Sequence, residues 1–319
     1  MAGGQRTVGI VGARGYVGQE LIRILLRHPR LDIAYVVSRT QAGEPIARIV
    51  PGAPGDLVFE DLAAEAAAAR GADAVVLALP NDLSPPHVAA VGRVRPDAVI
   101  VDVSADHRFD DAWVYGLPEH HRPRIAGARR IANPGCYATA AALAVRPVAS
   151  LLAAPACAFG VSGHSGAGAT PSPRNDVEAL RDNLMPYSLV GHVHEREVTR
   201  HAGPVALMPH VAPFFRGITM TVSMTFDAPL SREALRARYE EAYAAEPLVR
   251  LGDAIPLVRD AANRPHASIG GFTVDEARRR GVVVATLDNL LKGAASQAVQ
   301  NLNLALGLPE LEGLDPWPE

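Results

Sequence analysis

The chain has 319 residues, 48% of them apolar and 20% charged, which is enough length and apolar content for two cored domains and too little polarity for extensive disorder. A formal net charge of −3 gives no electrostatic basis for binding nucleic acid or an anionic membrane, and no apolar run reaches membrane-spanning length. The opening Met1–Arg6 lacks the apolar stretch of a signal peptide, and two cysteines, Cys136 and Cys157, cannot build a disulfide framework, so a cytoplasmic protein acting on a small molecule is expected.

Short β-branched runs alternate with helical stretches through the first part of the chain. Strands are expected over Thr7–Val11, Ile33–Val37, Ala74–Leu79 and Ala98–Val103, with helices over Tyr16–Arg27, Leu62–Arg70 and Pro86–Arg95. Leu57–Glu60 is a candidate extra edge strand. Pro134-Gly135 reads as a sharp turn into a helix over Ala138–Leu152, followed by a strand over Ala158–Ser162 and a glycine-rich loop, Gly163–Pro173. Ile218–Phe226 alternates as a strand of a half-exposed antiparallel sheet does. Ser231 then precedes a helix over Arg232–Ala245, strands near Ala267–Thr273 and Val282–Leu287, and a final helix over Leu290–Leu306. The expected architecture is α/β: a Rossmann-like parallel-sheet domain over residues 1–136, closed by the C-terminal segment 290–319, and an α+β catalytic domain with a mainly antiparallel sheet over 137–289.

Between the first strand and helix lies Gly9-Ile10-Val11-Gly12-Ala13-Arg14-Gly15-Tyr16-Val17-Gly18, the context of a dinucleotide fingerprint, although Gly12, Gly15 and Gly18 depart from G-x-G-x-x-G spacing. Glycines let the backbone approach a pyrophosphate, and the amides of Arg14, Tyr16 and Val17 at the helix start would face it. The second strand ends in Ser38-Arg39-Thr40 instead of an acidic residue. An arginine with two flanking hydroxyls suits a ribose 2′-phosphate, which favours NADP over NAD.

Cys136 follows Pro134-Gly135 at the expected start of a helix, where unpaired amides favour a thiolate. A thiolate together with a dinucleotide site suggests hydride chemistry through a thioester; the bland alternative is a small buried hydrophobe. Ser104 follows a parallel strand at the edge where ligands usually sit. Arg216 could hold a carboxylate or phosphate bidentately. Arg108 is either a substrate-side cation or the structural partner of Asp106. His192-Val193-His194-Glu195-Arg196-Glu197 superficially resembles a zinc chelate, but further ligand spacing is lacking and no metal is expected. Lys292 is the sole lysine.

The blocks Gly12–Leu21, Asn133-Pro134-Gly135-Cys136-Tyr137-Ala138-Thr139, Gly163-His164-Ser165-Gly166-Ala167-Gly168, Pro209-His210-Val211-Ala212-Pro213 with Arg216-Gly217, and Asp288-Asn289-Leu290-Leu291-Lys292-Gly293 closely resemble the N-acetyl-gamma-glutamyl-phosphate reductase family of arginine biosynthesis. They occur in the family's order and span nearly the whole chain. The resemblance implies NADPH-dependent reduction of an acyl phosphate to a semialdehyde with phosphate release. It assigns Cys136 as nucleophile, His210 as acid/base, Ser165 and Gly166 to a phosphate-side loop, and Asn289 to the neighbourhood of the nicotinamide. It implies a homo-oligomer, a dimer or a tetramer. This chain has Glu-Arg-Glu-Val where the family usually has Pro-Glu-Ile, which leaves the roles of His194 and Glu197 open. The nearest rival is a related enzyme acting on aspartyl phosphate or carrier-bound aminoadipyl phosphate. A short-chain dehydrogenase would need Tyr-x-x-x-Lys, and the sole lysine has Asp288 four residues before it.

Overall fold

The computed structural model describes residues 4–314. In chain order, β1 (Arg6–Val11) leads through the glycine turn into α1 (Tyr16–Leu25), then β2 (Leu31–Val37), α2 (Ala64–Arg70), β3 (Ala74–Leu77), α3 (Pro85–Val94), β4 (Val99–Asp102), β5 (Val114–Tyr115), α4 (Pro118–Ile125) and β6 (Arg130–Ala132). There follow α5 (Cys136–Val145), β7 (Ala156–Gly163), α6 (Val177–Leu180), β8 (Met185–Pro186), α7 (Val193–His201), β9 (Val205–Ala212) and β10 (Ile218–Thr225). The chain ends with α8 (Arg232–Tyr243), β11 (Val249–Leu251), α9 (Val258–Ala261), β12 (Ala267–Asp275), β13 (Arg280–Leu287) and α10 (Ala295–Ala305). Two compact units result, one running to Pro134 and resuming at Ala294, the other from Gly135 to Gly293.

The first unit holds a six-stranded sheet in the order β2-β1-β3-β4-β6-β5, with every pair parallel. Its central strands are buried on both faces, so Val8, Ile10, Val76, Leu77, Ile100 and Val101 read as continuous apolar runs and not as an alternation. α10 belongs to this unit and is unusual in composition: Gln297, Gln300, Asn301 and Asn303 are wholly buried. Their amide nitrogens all donate, whereas the Gln297 Oε1 and Asn301 Oδ1 oxygens are buried without a hydrogen-bond partner among the described residues. Gln297 and Asn301 donate to the Gly116 carbonyl at 2.9 and 2.8 Å, and Asn303 donates to the carbonyls of Glu310 and Glu312.

The second unit holds a seven-stranded sheet in the order β11-β12-β13-β10-β7-β9-β8, mainly antiparallel, with β7–β9 and β11–β12 parallel. α5 packs on β10 and β13, and the sheet residues facing it are small or apolar: Ala158, Gly160, Met220 and Val222. A side chain at Gly160 would meet the Tyr137 ring at 2.8 Å. The intervening residues Cys157, Phe159, Thr221 and His210 point to the other, more exposed face.

The α/β class, the parallel first sheet and the mainly antiparallel second sheet are as expected. Several elements differ. Leu57–Glu60 is no sheet strand, because Glu60 bonds to β2 through Val36 while Phe59 bonds to Glu44, so no ladder to one partner can grow. The helix after Pro134 ends at Val145 and continues only as a 3-10 turn over Arg146–Leu151. Pro147 lacks the N–H that would reach Leu143. The freed carbonyls of Leu143 and Ala144 accept instead from the hydroxyls of Tyr243, at 2.8 Å, and Tyr239 on α8. The last helix starts at Ala295 and not at Leu290, because the Asp288 carboxylate accepts from the amides of Leu290 and Leu291 and holds 288–293 as a turn. Residues 315–319 of the expected closing segment lie outside the described residues.

Candidate active site

The turn between β1 and α1 has the shape a dinucleotide phosphate needs. Gly12 lies at φ +85°, where a Cβ would meet the Ala78 carbonyl oxygen at 2.4 Å, and a Cβ on Gly18 would meet Ala13 at 2.5 Å. A Cβ on Gly15 would come no nearer than 3.7 Å to the Gly12 carbonyl oxygen, so the turn is open on that side. Gly15 is the N-cap of α1 without a side-chain cap, leaving the first-turn amides, with Arg14, Tyr16 and Val17 around them, for an anion. At the end of β2, Ser38 is buried while Arg39 and Thr40 are exposed on a 3-10 turn; Asp32 is at the strand's start. These residues fit NADP, with the glycine turn on the pyrophosphate and Arg39 available to the 2′-phosphate.

Beyond β4 a polar knot occupies the positions read as ligand contacts. Ser104 donates to Asp102 at 2.9 Å and accepts from the Asp106 amide at 3.1 Å, so its hydroxyl is committed to the protein instead of projecting toward a cofactor. Asp106 accepts from the amides of Asp82 and Ser84 and from the Ser84 hydroxyl, and these bonds hold its carboxyl below the usual range against the opposing effect of burial. His107 pairs with the buried Asp102 at 2.6 Å and stacks on Trp113. Arg108 is also buried, donating to the carbonyls of Asn133 and Val103 at 2.9 and 2.8 Å, which makes it a strap on the chain leaving β6.

Cys136 is the first residue of α5 in the second unit, half-buried, with Gly135 in extended conformation before it. The helix start is fitted around the thiol. A Cβ on Gly293 would meet the Cys136 Cβ at 2.7 Å and the Asn289 carbonyl oxygen at 2.6 Å, so glycine is required there. Glu197, wholly buried on α7, accepts from the Gly135 amide at 2.9 Å. One helical turn before it, His194 lies with its ring centroid 6.0 Å from Tyr137 and 4.7 Å from His192. His192 caps α7 by accepting at Nδ1 from the His194 amide, and burial lowers its pKa, aided by Arg174.

Two phenols complete this cluster. Tyr137 donates to the His210 carbonyl at 2.6 Å, and its hydroxyl and that of Tyr187 are hydrogen-bonded to each other. Burial pushes the Tyr187 phenol up to about 12, and proximity to Cys136 adds to the shift; Tyr137 is raised for the same leading reason. Both remain donors at neutral pH.

His210 is placed differently from the expectation. It sits within β9, and its ring packs 4.3 Å from Phe159 with Nδ1 against the Met208 carbonyl. Phe159 points away from the face on which Tyr137 covers Gly160, so the imidazole lies on the side of the sheet opposite α5 and only the His210 backbone reaches the thiol's neighbours. Arg216 is likewise engaged: it grips the wholly buried Asp288 through Nε at 2.5 Å and Nη2 at 3.1 Å, and donates to Asn263. Asn289 accepts from the Gly217 amide at 2.6 Å and donates to Ser165 Oγ at 2.9 Å, tying three loops together instead of projecting toward a nicotinamide. Ser165 is therefore occupied and buried, and Gly166 packs against Ser162 Oγ. Lys292 is wholly buried.

Sequence reasoning left three contributors without a role: Tyr137, inside a quoted motif; Tyr187, in an unassigned loop; and Glu197, whose burial no local pattern reveals. The signal that was available is the spacing of His194 and Glu197, which puts both on one face of a short helix.

The chain matches the model of the semialdehyde dehydrogenase NAD-binding domain over residues 7–128 and that of the semialdehyde dehydrogenase dimerisation domain over residues 136–289. Among solved structures, aspartate semialdehyde dehydrogenase II from Vibrio cholerae superposes with a TM-score of 0.77 at 19% identity, covering 96% of this chain and 99% of that one, a likeness of fold. Among curated proteins, the N-acetyl-gamma-glutamyl-phosphate reductase of Stenotrophomonas maltophilia (strain R551-3) is 57% identical over 97% of this chain and 98% of its own length. That of Xanthomonas campestris pv. campestris (strain B100) is 56% identical over the same shares. With a dinucleotide cradle, a helix-start cysteine and this degree of identity over nearly the full length, the chain belongs to the N-acetyl-gamma-glutamyl-phosphate reductase family of NADP-dependent oxidoreductases.

Proposed function

We propose that this chain reduces N-acetyl-γ-glutamyl phosphate to N-acetylglutamate semialdehyde in arginine biosynthesis, with Cys136 as nucleophile and His194, not His210, as acid/base. The observation that carries the assignment is the join of α7 to the start of α5, where Glu197 holds the Gly135 amide and so sets His194, one turn away, over the end of the helix that bears the thiol. A cysteine in the first turn of a helix is biased toward thiolate by the helix amides and dipole. His194 takes the thiol proton as Sγ attacks the acyl carbon, and phosphate leaves with the electrons of the broken C–O bond, giving a thioester on Cys136. Bound NADPH supplies the hydride that reduces this thioester. The resulting alkoxide takes its proton from the His194 imidazolium; on collapse the neutral His194 imidazole takes that proton back as the C–S bond breaks, and the departing Cys136 thiolate releases the aldehyde. The Tyr137 and Tyr187 phenols, raised by burial and by the proximity of Cys136, stay protonated beside the thiol.

Gly12, Gly15 and Gly18 with Arg39 hold NADP; Arg216, Asn289 and Ser165 act as scaffold, fixing the 288–293 turn whose Gly293 abuts the thiol. Homo-oligomerisation is supported by the dimerisation-domain match and by the open sheet face bearing Phe159. Among the described residues no helix is long and apolar enough to cross a membrane; a cytoplasmic location is the reading that suits a phosphorylated metabolite and NADPH. The direct test is Cys136→Ser. It is expected to bind NADPH normally by cofactor fluorescence and to lose turnover by roughly 10³-fold or more, since a serine hydroxyl is almost wholly protonated at neutral pH. Activity within about tenfold of wild type would remove Cys136 from the mechanism.

A further inference from the structure

The loop between β7 and α7 carries an arginine that the reaction scheme leaves unused. Asn175 knots this loop: its carbonyl oxygen accepts from the amide and hydroxyl of Ser172, and its nitrogen donates to the carbonyls of Gly168 and Thr170 at 2.8 and 2.7 Å. Pro171 and Pro173 restrict the same stretch, and Asp176 caps α6 by accepting from the Glu178 amide. Arg174, between the knot and the cap, is thus presented on a preorganised segment. It is exposed, with its guanidinium 4.9 Å from the centre of the Tyr187 ring. Among the described residues no carboxylate pairs with it.

Arg174 differs in this from the other cations of the site. Arg216 is consumed by Asp288 and Lys292 is wholly buried. Tyr187, on which Arg174 lies, is hydrogen-bonded to Tyr137, the residue next to Cys136. The order is therefore thiol, phenol pair, guanidinium. A substrate whose acyl carbon is bonded to sulfur places its phosphate at that carbon and its α-carboxylate further along the chain.

We propose that Arg174 binds the α-carboxylate of the substrate, setting the register of the acyl chain over the Tyr187 face and making the anionic end a requirement for turnover. This rests on the reading of the substrate as an N-acylated glutamyl phosphate. A guanidinium fork matches a carboxylate bidentately, and its stacking on the phenol fixes the plane of that fork. The Gly163–Gly168 loop, with Ser165 tied to Asn289, is then backing for the site, and the anion contact lies further along the same connection.

The test compares Arg174→Ala and Arg174→Lys with wild type in two measurements. In the reverse direction, with phosphate and NADP, Arg174→Ala is expected to raise KM for N-acetylglutamate semialdehyde by roughly ten- to a hundredfold, with kcat and the phosphate KM within a few-fold and partial recovery in Arg174→Lys. In the absence of any substrate, alkylation of Cys136 followed by peptide mass should show iodoacetate losing roughly three- to tenfold in rate relative to neutral iodoacetamide, whose own rate is unchanged. The alkylation ratio can be read even if the semialdehyde is not turned over, so failure of the substrate assignment and failure of the Arg174 assignment are separable. A rise confined to the phosphate KM would give Arg174 to the leaving group instead. An unchanged alkylation ratio would make it an ordinary surface arginine.

Discussion

Cys136 and its neighbours show what one helix start can specify. Gly293 leaves no room for a side chain beside Cys136, and α7, joined to Gly135 through Glu197, brings the proposed acid/base His194 to Tyr137. If this geometry is the working one, His194→Asn should lower turnover by roughly 10²–10⁴-fold and remove one limb of the pH–rate profile, with little change in NADPH affinity. His210→Asn should leave turnover within about tenfold and the pH profile intact, because only its backbone meets the thiol's neighbours. The reverse ranking of the two variants would restore the sheet histidine to the mechanism. At the other end of the reaction, Arg39→Ala should weaken NADPH by about 1.5–3 kcal/mol, roughly ten- to a hundredfold, while NADH binding changes little, since only NADPH carries the 2′-phosphate. Equal weakening of both cofactors, measured by fluorescence titration, would make Arg39 a structural residue. Residue type and local order single out Cys136, the glycine turn and Arg39 as candidates. They do not reveal the partners of His210, Arg216 and Asn289, which come from strands and turns distant in the chain: Phe159, Asp288 and Ser165.

At the scale of elements, periodicity and punctuation located β1, α1, β2, β3, β4, β7, β10, β12 and β13 and the helix α8, which Ser231 caps as its position suggests. The elements without sequence-level signals have identifiable reasons. β5 and β6 are two and three residues long. β9 contains Pro209 and His210, both poor strand formers, and is held by a parallel neighbour. α4 is almost entirely polar and contains Pro123. The start of α10 is hidden because the Asp288 carboxylate, which also holds Arg216, keeps residues 288–293 as a turn before the helix. That double use predicts a large cost for breaking the pair. Arg216→Leu should destabilise the protein by about 3–5 kcal/mol, since it leaves a buried carboxylate without its cation, and the loss should appear as a lowered Tm and as faster iodoacetamide labelling of Cys136. An unchanged Tm would show that Asp288 needs no counter-charge.

For the whole molecule, each unit carries its own sheet: the first holds the glycine turn and Arg39, and the second holds Cys136, His194 and Arg174, the residues of the proposed chemistry. The fold alone does not choose the substrate, because the same architecture is shared at 19% identity with an aspartate semialdehyde dehydrogenase. The choice rests on relatives named N-acetyl-gamma-glutamyl-phosphate reductase at 57% and 56% identity. The decisive measurement is NADPH formation by the purified protein with NADP and phosphate, comparing N-acetylglutamate semialdehyde with aspartate semialdehyde. We expect phosphate-dependent turnover of the acetylated substrate, strongly preferred in kcat/KM and abolished in Cys136→Ser; equal or better turnover of aspartate semialdehyde, or turnover that survives loss of the thiol, would contradict the account.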